Sequence, residues 1–328
     1  MENSVYYTGI DAHKETCFLV TRDATGKIVK QAELRSNGQV LRDYFSDLPG
    51  LHKVVVESTS AWYWISDAFR DERRIELSLA HSKYVKAISY AKVKTDKVDA
   101  GTLADLHRSD LVPLAHQISP ELRGLRDMLR ARLRLVQRRT AAINSIARLL
   151  EKFNCTSVAE LDPLYCEQAA CHQEHVTLYD EQIKRLEARI WTLVRMNDEV
   201  RWLMQLPGVG RIVAFTIYLE VDGIDRFESL QRFWSYTRLV PGSDNSAKKQ
   251  RHKPSKDGNR YLKLAFSHAA VRAVQHYPVI KAWEQRNRRR KNRAIARALV
   301  AKEIAKMAYY ILKKHEPFNG QFKGNAIA

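Results

Sequence analysis

The chain has 328 residues, enough for about two domains at ~150 residues each, which excludes a disulfide-stapled mini-protein. Lysine and arginine number 55 against 37 aspartates and glutamates, and the resulting net charge of +18 asks for a polyanionic partner. With 45% hydrophobic residues and only 13 Gly and 9 Pro, the chain can offset the entropy of ordering and is neither disordered nor collagen-like.

The N-terminal third alternates short β-branched runs with helical pieces. Tyr6 to Ile10, Cys17 to Thr21 and Ile28 to Leu34 read as a three-stranded meander, the last two joined through the turn Asp23-Ala24-Thr25-Gly26. A helix at Gln39 to Asp47, a strand at Lys53 to Glu57, a helix at Trp62 to Phe69 and a strand at Ile75 to Ala80 follow. A basic segment then leads into a helix through Val98 to Leu106. Three meander strands followed by alternating helix and strand give the α/β order of an RNase H-like domain, placed at residues 1–112.

Residues 113–200 have a different texture. Leu122, Leu129, Val136, Ile143 and Leu150 recur every seven positions along a long helix, with Leu125, Leu133 and Ile146 in the same stripe. Its other faces carry Arg123, Arg126, Arg130, Arg132, Arg134, Arg138 and Arg139. A second stripe, Tyr179, Ile183, Leu186, Ile190 and Leu193, requires an antiparallel partner or a dimer seam. From 201 to 328 the pattern is compact and mostly helical. Leu206-Pro207-Gly208-Val209-Gly210 resembles a helix-hairpin-helix turn, in which Gly208 and Gly210 would let backbone amides approach a phosphate; a tight turn with no ligand is the alternative. A basic, loop-like stretch from Pro241 to Asn259 carries Ser243, Ser246, Lys248, Lys249, Arg251 and Lys253. The final helical region, Tyr261 to Lys314, holds a run from Arg286 to Arg297 that includes Arg289 and Arg290.

Charges interrupt every apolar run before the ~18 residues of a membrane span, and the N-terminus lacks a basic-then-apolar signal, so no membrane and a cytoplasmic location are expected. Four cysteines suit a reducing compartment. Cys166, Cys171, His172 and His175 fit no common zinc spacing.

The chemistry resides in acids that lie far apart in sequence. Asp11 follows the first strand, Glu57 ends the apolar run Val54-Val55-Val56, and Asp96 and Asp99 stand three residues apart on one helix face. In an RNase H-like sheet the first and fourth strands are neighbours and a later helix crosses them, so the four carboxylates can meet. Hard divalent cations take such oxygens, and paired ions about 4 Å apart stabilise both the entering and leaving oxygens of a phosphodiester. Asp105 is a spare carboxylate on the same helix, whereas on the plainer reading Asp96 and Asp99 only favour the helix dipole.

The order Gly9-Ile10-Asp11, Val56-Glu57-Ser58, Lys94-Thr95-Asp96-Lys97-Val98-Asp99-Ala100, Leu206-Pro207-Gly208-Val209-Gly210 and Asp257-Gly258-Asn259-Arg260-Tyr261-Leu262 resembles the DEDD-type insertion-sequence transposases. These are bridge-RNA-guided serine recombinases related to the Piv DNA invertases, and the resemblance spans essentially the whole chain. It implies an RNase H-like (RuvC-like) N-terminal domain, a coiled-coil middle and a mostly helical C-terminal transposase domain with a nucleophilic serine. In Val240-Pro241-Gly242-Ser243-Asp244-Asn245-Ser246-Ala247 the serine aligns with Ser246, although Ala247 stands where glycine is expected, which leaves Ser243 as a second candidate. Asp11, Glu57, Asp96 and Asp99 would be catalytic and hold Mg²⁺ or Mn²⁺, with Ser246 attacking DNA to form a phosphoserine.

Arg126, Arg130, Arg138, Lys248, Lys249, Arg251, Arg289 and Arg290 are assigned to phosphate contacts, which position nucleic acid without reading sequence. Trp62, Trp64, Tyr84 and Tyr90 are candidates for stacking, the two tryptophans also for the core. The partners expected are donor and target DNA, a noncoding guide RNA and further copies of the chain as a dimer or tetramer, in the bacterial cytoplasm at the nucleoid. Two other readings stay open: a metal-dependent junction nuclease with water as nucleophile, and a non-catalytic protein that binds RNA or bridges DNA.

Overall fold

The short apolar, β-branched runs near the N-terminus form the strands they predict. In the computed structural model, β1 (Val5–Ala12), β2 (Thr16–Arg22) and β3 (Ile28–Arg35) form an antiparallel meander. The structure describes residues 4–88, 95–194, 196–246, 249–254, 257–323 and 325–326, with backbone alone described over 242–246, 249–254 and 325–326. Asp23 closes the β2–β3 turn by accepting from the amides of Thr25 and Lys27. α1 (Gly38–Tyr44) is capped by the Asn37 side chain and leads into β4 (Leu51–Glu57), α2 (Trp62–Ala68), β5 (Ile75–Ala80), α3 (Ser82–Ile88) and α4 (Asp96–Arg108). The strand order is β3-β2-β1-β4-β5, with β1, β4 and β5 parallel. Val54, Val55 and Val56 are fully buried because helices cover both faces of β4.

The sheet's two faces have different cores. On one, Thr8, Thr21 and Tyr44 join their hydroxyls beneath α1. On the other, Val55 packs with Ala80, Val85 and Leu103 of α4. Three local differences from the sequence reading matter. β1 runs through Asp11 to Ala12, α3 occupies part of the segment read only as basic, and Asp105 is not spare because it pairs with Arg22 at 2.9 Å.

Residues Met1–Gln117 form one compact unit and Ile118–Ala328 another. The sequence reading places a boundary at 112 and separates 113–200 from 201–328. The helical middle instead shares its core with the C-terminal helices. α5 (Pro120–Phe153) and α6 (Pro163–Leu193) run antiparallel, as the pairs Arg132–Glu187 (2.7 Å) and Arg139–Asp180 (2.6 Å) show. Ala169, Val176, Ile183 and Ile190 form the buried edge of α6, so its seam begins well before Tyr179. Leu129 and Ile190 enter a core with Phe215, Phe233, Phe266 and Ile304.

That core is built by α7 (Asp198–Met204), α8 (Arg211–Val221), α9 (Leu230–Tyr236), α10 (Arg260–His276), α11 (Pro278–Arg288) and α12 (Arg293–Lys314). Between α9 and α10 lies an antiparallel hairpin, β6 (Pro241–Ser246) and β7 (Lys249–Pro254), where the sequence reading has a loop. Its residues are polar and lack β-branched or aromatic types, so no propensity signal announces it. A short pair, β8 (Gln321–Phe322) and β9 (Asn325–Ala326), ends the described chain. Among the described residues no helix is long and apolar enough to cross a membrane.

Arg130 has a different task from the phosphate contact assigned to it. Its guanidinium makes a bidentate pair with Glu220, at 2.6 and 2.7 Å, and lies over the Tyr261 ring. Asn259 Nδ2 donates to the same Glu220 carboxylate at 2.7 Å while the Asn259 side-chain oxygen caps α10. Glu220 is buried, and it unites α5, α8 and the start of α10. Glu220→Ala would leave a partly buried guanidinium and a buried amide without their acceptor and is expected to cost about 3 kcal/mol; denaturant unfolding of the full chain measures it, with Glu220→Gln falling between the alanine variant and the wild type.

Candidate active site

Gly9 determines how near α4 comes to the sheet. A Cβ built on Gly9 would collide with the carbonyl oxygen of Ala100 and lie 2.7 Å from the amide nitrogen of Ala104. Side chains two apart on a strand share a face, so Asp11 projects toward α4 as Gly9 does. The N-terminus of α4 is fixed by Thr95, whose hydroxyl accepts from the Val98 amide at 3.3 Å, and this sets Asp96 and Asp99 in the first turn.

Asp11 and Asp96 meet there, and a residue not among the sequence candidates joins them. His13 Nε2 lies 3.3 Å from Asp11 Oδ2 and 3.4 Å from Asp96 Oδ1, and one ligand atom from each of the three residues lies within 4.8 Å of the others. Glu57 and Asp99 stand outside this tight group. Glu57 directly follows the registered pair Ile10–Val56, at the same edge as Asp11 and on the adjacent strand. Asp99 is half-buried in the first turn of α4. Burial pushes the Asp11 carboxyl above its ordinary value; the neighbouring charges of Asp96 and Asp99 push the same way, and His13 opposes them. His13 stands two residues beyond Asp11, but what brings it to the acids is the turn in which its amide donates to Thr16 O, which the sequence alone does not show.

The basic candidates divide by environment. Arg138, Arg289 and Arg290 are exposed, Arg126 is half-buried, and Arg130 is held by Glu220. Gly210, the N-cap of α8, is exposed with open space at its Cα. Gly208 has φ +73°, and a Cβ there would collide with the Ala269 carbonyl and lie 2.7 Å from Ala273 N. Glycine is required at 208 by its close approach to α10. Ser243, Ser246, Lys249 and Arg251 lie in the β6–β7 ladder, Ser246 opposite Lys249, and their side chains fall outside the described residues, as does Lys248 altogether. Trp62 is buried in the first unit, Tyr84 is exposed, and Tyr90 lies outside the described residues.

Two family models match this architecture in order. Residues 8–155 match a DEDD transposase model of the IS110 group, and residues 200–300 match the model described as transposase IS116/IS110/IS902 family. The chain belongs to that transposase family. It is similar to a transposase for insertion sequence element IS1111A of Coxiella burnetii, 25% identical over 82% of this chain and 78% of the relative. It is also similar to a probable family 20 transposase of Pseudomonas aeruginosa, 26% identical over 81% of this chain and 83% of the relative.

As a member of this family the transposase is a DNA-cleaving and rejoining enzyme, and its DEDD domain is RNase H-like and implies use of a divalent cation. The residues present fit one: two carboxylates and an imidazole converge, and Asp11 is both desolvated and crowded by like charge, a strain that a cation relieves. Gly9→Ala is expected to force α4 away from β1 at a cost of about 1–3 kcal/mol and to lower metal affinity with it. Thermal unfolding and Mn²⁺ titration of the same preparation check both effects.

Proposed function

We propose that this transposase cuts phosphodiester bonds of its element at the Asp11–Asp96 edge of the RNase H-like unit, with water as the attacking group. The convergence of Asp11 and Asp96 on one point, from a strand end and a helix start, carries this reading. Asp11 and Asp96 would hold Mg²⁺ or Mn²⁺, with Glu57 and Asp99 flanking them. A divalent cation bound there supplies stabilisation of the charge that develops on the displaced phosphodiester oxygens. The chain's own part is positional: Gly9 admits α4, Thr95 fixes its first turn, and burial keeps Asp11 poised to take a positive charge.

Exposed Arg138, Arg289 and Arg290, with Lys248, Lys249 and Arg251, would grip donor and target DNA through phosphates. A second reading follows from the hairpin, whose last β6 residue, Ser246, pairs in register with Lys249 within a basic run. In it, Ser246 Oγ, or that of Ser243, forms a bond to phosphorus as the bond to the leaving deoxyribose oxygen breaks, giving a phosphoserine that the free DNA end later resolves. The resemblance to bridge recombinases and the excess of +18 support a noncoding RNA partner for that chemistry. The same resemblance supports assembly as a dimer or tetramer through the helical middle, as a coiled coil, and action at the bacterial nucleoid.

Asp11→Asn and Asp96→Asn are expected to lower strand cleavage by about 10²–10³-fold while leaving DNA retention in a gel intact; cleavage at the wild-type rate in either variant overturns the placement of the site. On element-end DNA with Mg²⁺, hydrolysed ends without a protein adduct support water. An adduct lost in Ser246→Ala or Ser243→Ala supports the serine instead. Sequencing the RNA that copurifies with the full chain tests the guide, which one discrete species would support.

A further inference from the structure

We infer that His13 is a nitrogen ligand to the metal, one that turns the acidic pocket of this transposase toward Mn²⁺ over Mg²⁺. The inference rests on the metal-dependent reading above and adds to it the identity of a ligand and a preference among cations.

The spacing is that of donors around an ion. A cation about 2.1 Å from each of its ligands has neighbouring donors about 3.0 Å apart and opposite donors about 4.2 Å apart. His13 Nε2 lies 3.3 and 3.4 Å from its two carboxylate oxygens, near the spacing of neighbouring donors, and the triad as a whole, within 4.8 Å, is slightly wider than a bound set and would draw in around an ion. One ring nitrogen therefore faces two acceptors at nearly equal distance, whereas a single N–H serves one well. The ring's backbone is held from both sides. The His13 amide donates to Thr16 O at 2.9 Å, and Ser36 Oγ donates to His13 O at 2.9 Å. The side chain itself is 53% exposed, so a hydrated ion can reach it from solvent.

Donor chemistry then gives the preference. Mg²⁺ takes oxygen ligands and gives up its water reluctantly, whereas an imidazole suits first-row transition ions. Carboxylates alone, as in Asp11, Glu57, Asp96 and Asp99, would leave the choice to size and charge. A nitrogen in the set moves it from Mg²⁺ toward the first-row ions, and among these Mn²⁺ is the one suited to the carboxylates that make up the rest of the set. His13 stands where α4 and the β1–β2 turn converge, so it can join Asp11 and Asp96 without displacing either.

Mn²⁺ titration of the full-length protein, read by electron paramagnetic resonance with detection of ¹⁴N coupling, tests this. Wild-type protein is expected to bind Mn²⁺ with an imidazole ¹⁴N coupling. His13→Ala and His13→Gln are expected to lose that coupling and to weaken Mn²⁺ binding by about 10-fold, while the Mg²⁺ dissociation constant obtained by competition changes by less than about twofold. Mn²⁺ binding that depends on Asp11, as shown by its loss in Asp11→Asn, but lacks nitrogen coupling would overturn the role of His13 and leave the metal centre standing. Mn²⁺ binding unchanged in Asp11→Asn would place the ion elsewhere and overturn both.

Discussion

The packing of α4 directly on β1, with no side chain between the backbones at Gly9, is the contact on which the site depends. Any Cβ there meets the Ala100 carbonyl, so the approach of the helix at this point admits only glycine. Because Asp96 opens that helix and Asp11 lies two residues beyond Gly9, one backbone contact sets the distance between the acids. The rest of the first unit serves this contact. The buried Val54–Val56 run holds β4 beside β1, and Leu103 and Ala104 anchor the helix along the sheet.

Much of this was legible in the sequence, and the reasons are physical. Short apolar, β-branched runs bounded by turn residues mark strands, and an unbroken apolar run marks one buried on both faces, which is why the meander and β4 were readable. Asp11, Glu57 and Asp96 were visible because acids at strand ends and helix starts stand out against apolar neighbours. His13 was not, because its role comes from a turn that brings it against a helix more than eighty residues later. The β6–β7 hairpin lay hidden because backbone pairing, rather than side-chain pattern, forms it.

Arginine-rich faces were the least legible part. A guanidinium reads the same in sequence whether it meets phosphate or a buried carboxylate. Arg130 differs from Arg138 only through Glu220, an acid set in the apolar helix α8 and ninety residues away. An isolated acid in such a helix is itself a sign that a cation must come to it. The positive excess of the chain is therefore not all available to nucleic acid. Arg130, Arg132 and Arg139 are spent holding helices together.

The helix pair α5 and α6 carries a mechanical consequence. Backbone geometry fixes the 34-residue α5 at about 50 Å, whereas only its inner part, around Leu129, is rooted in the large core. Farther out, Ala142, Ala169 and Val176 supply a thin seam of small side chains. Stretching such a rod breaks hydrogen bonds along its axis, but tilting it disturbs little, so its tip has a set reach and a loose heading.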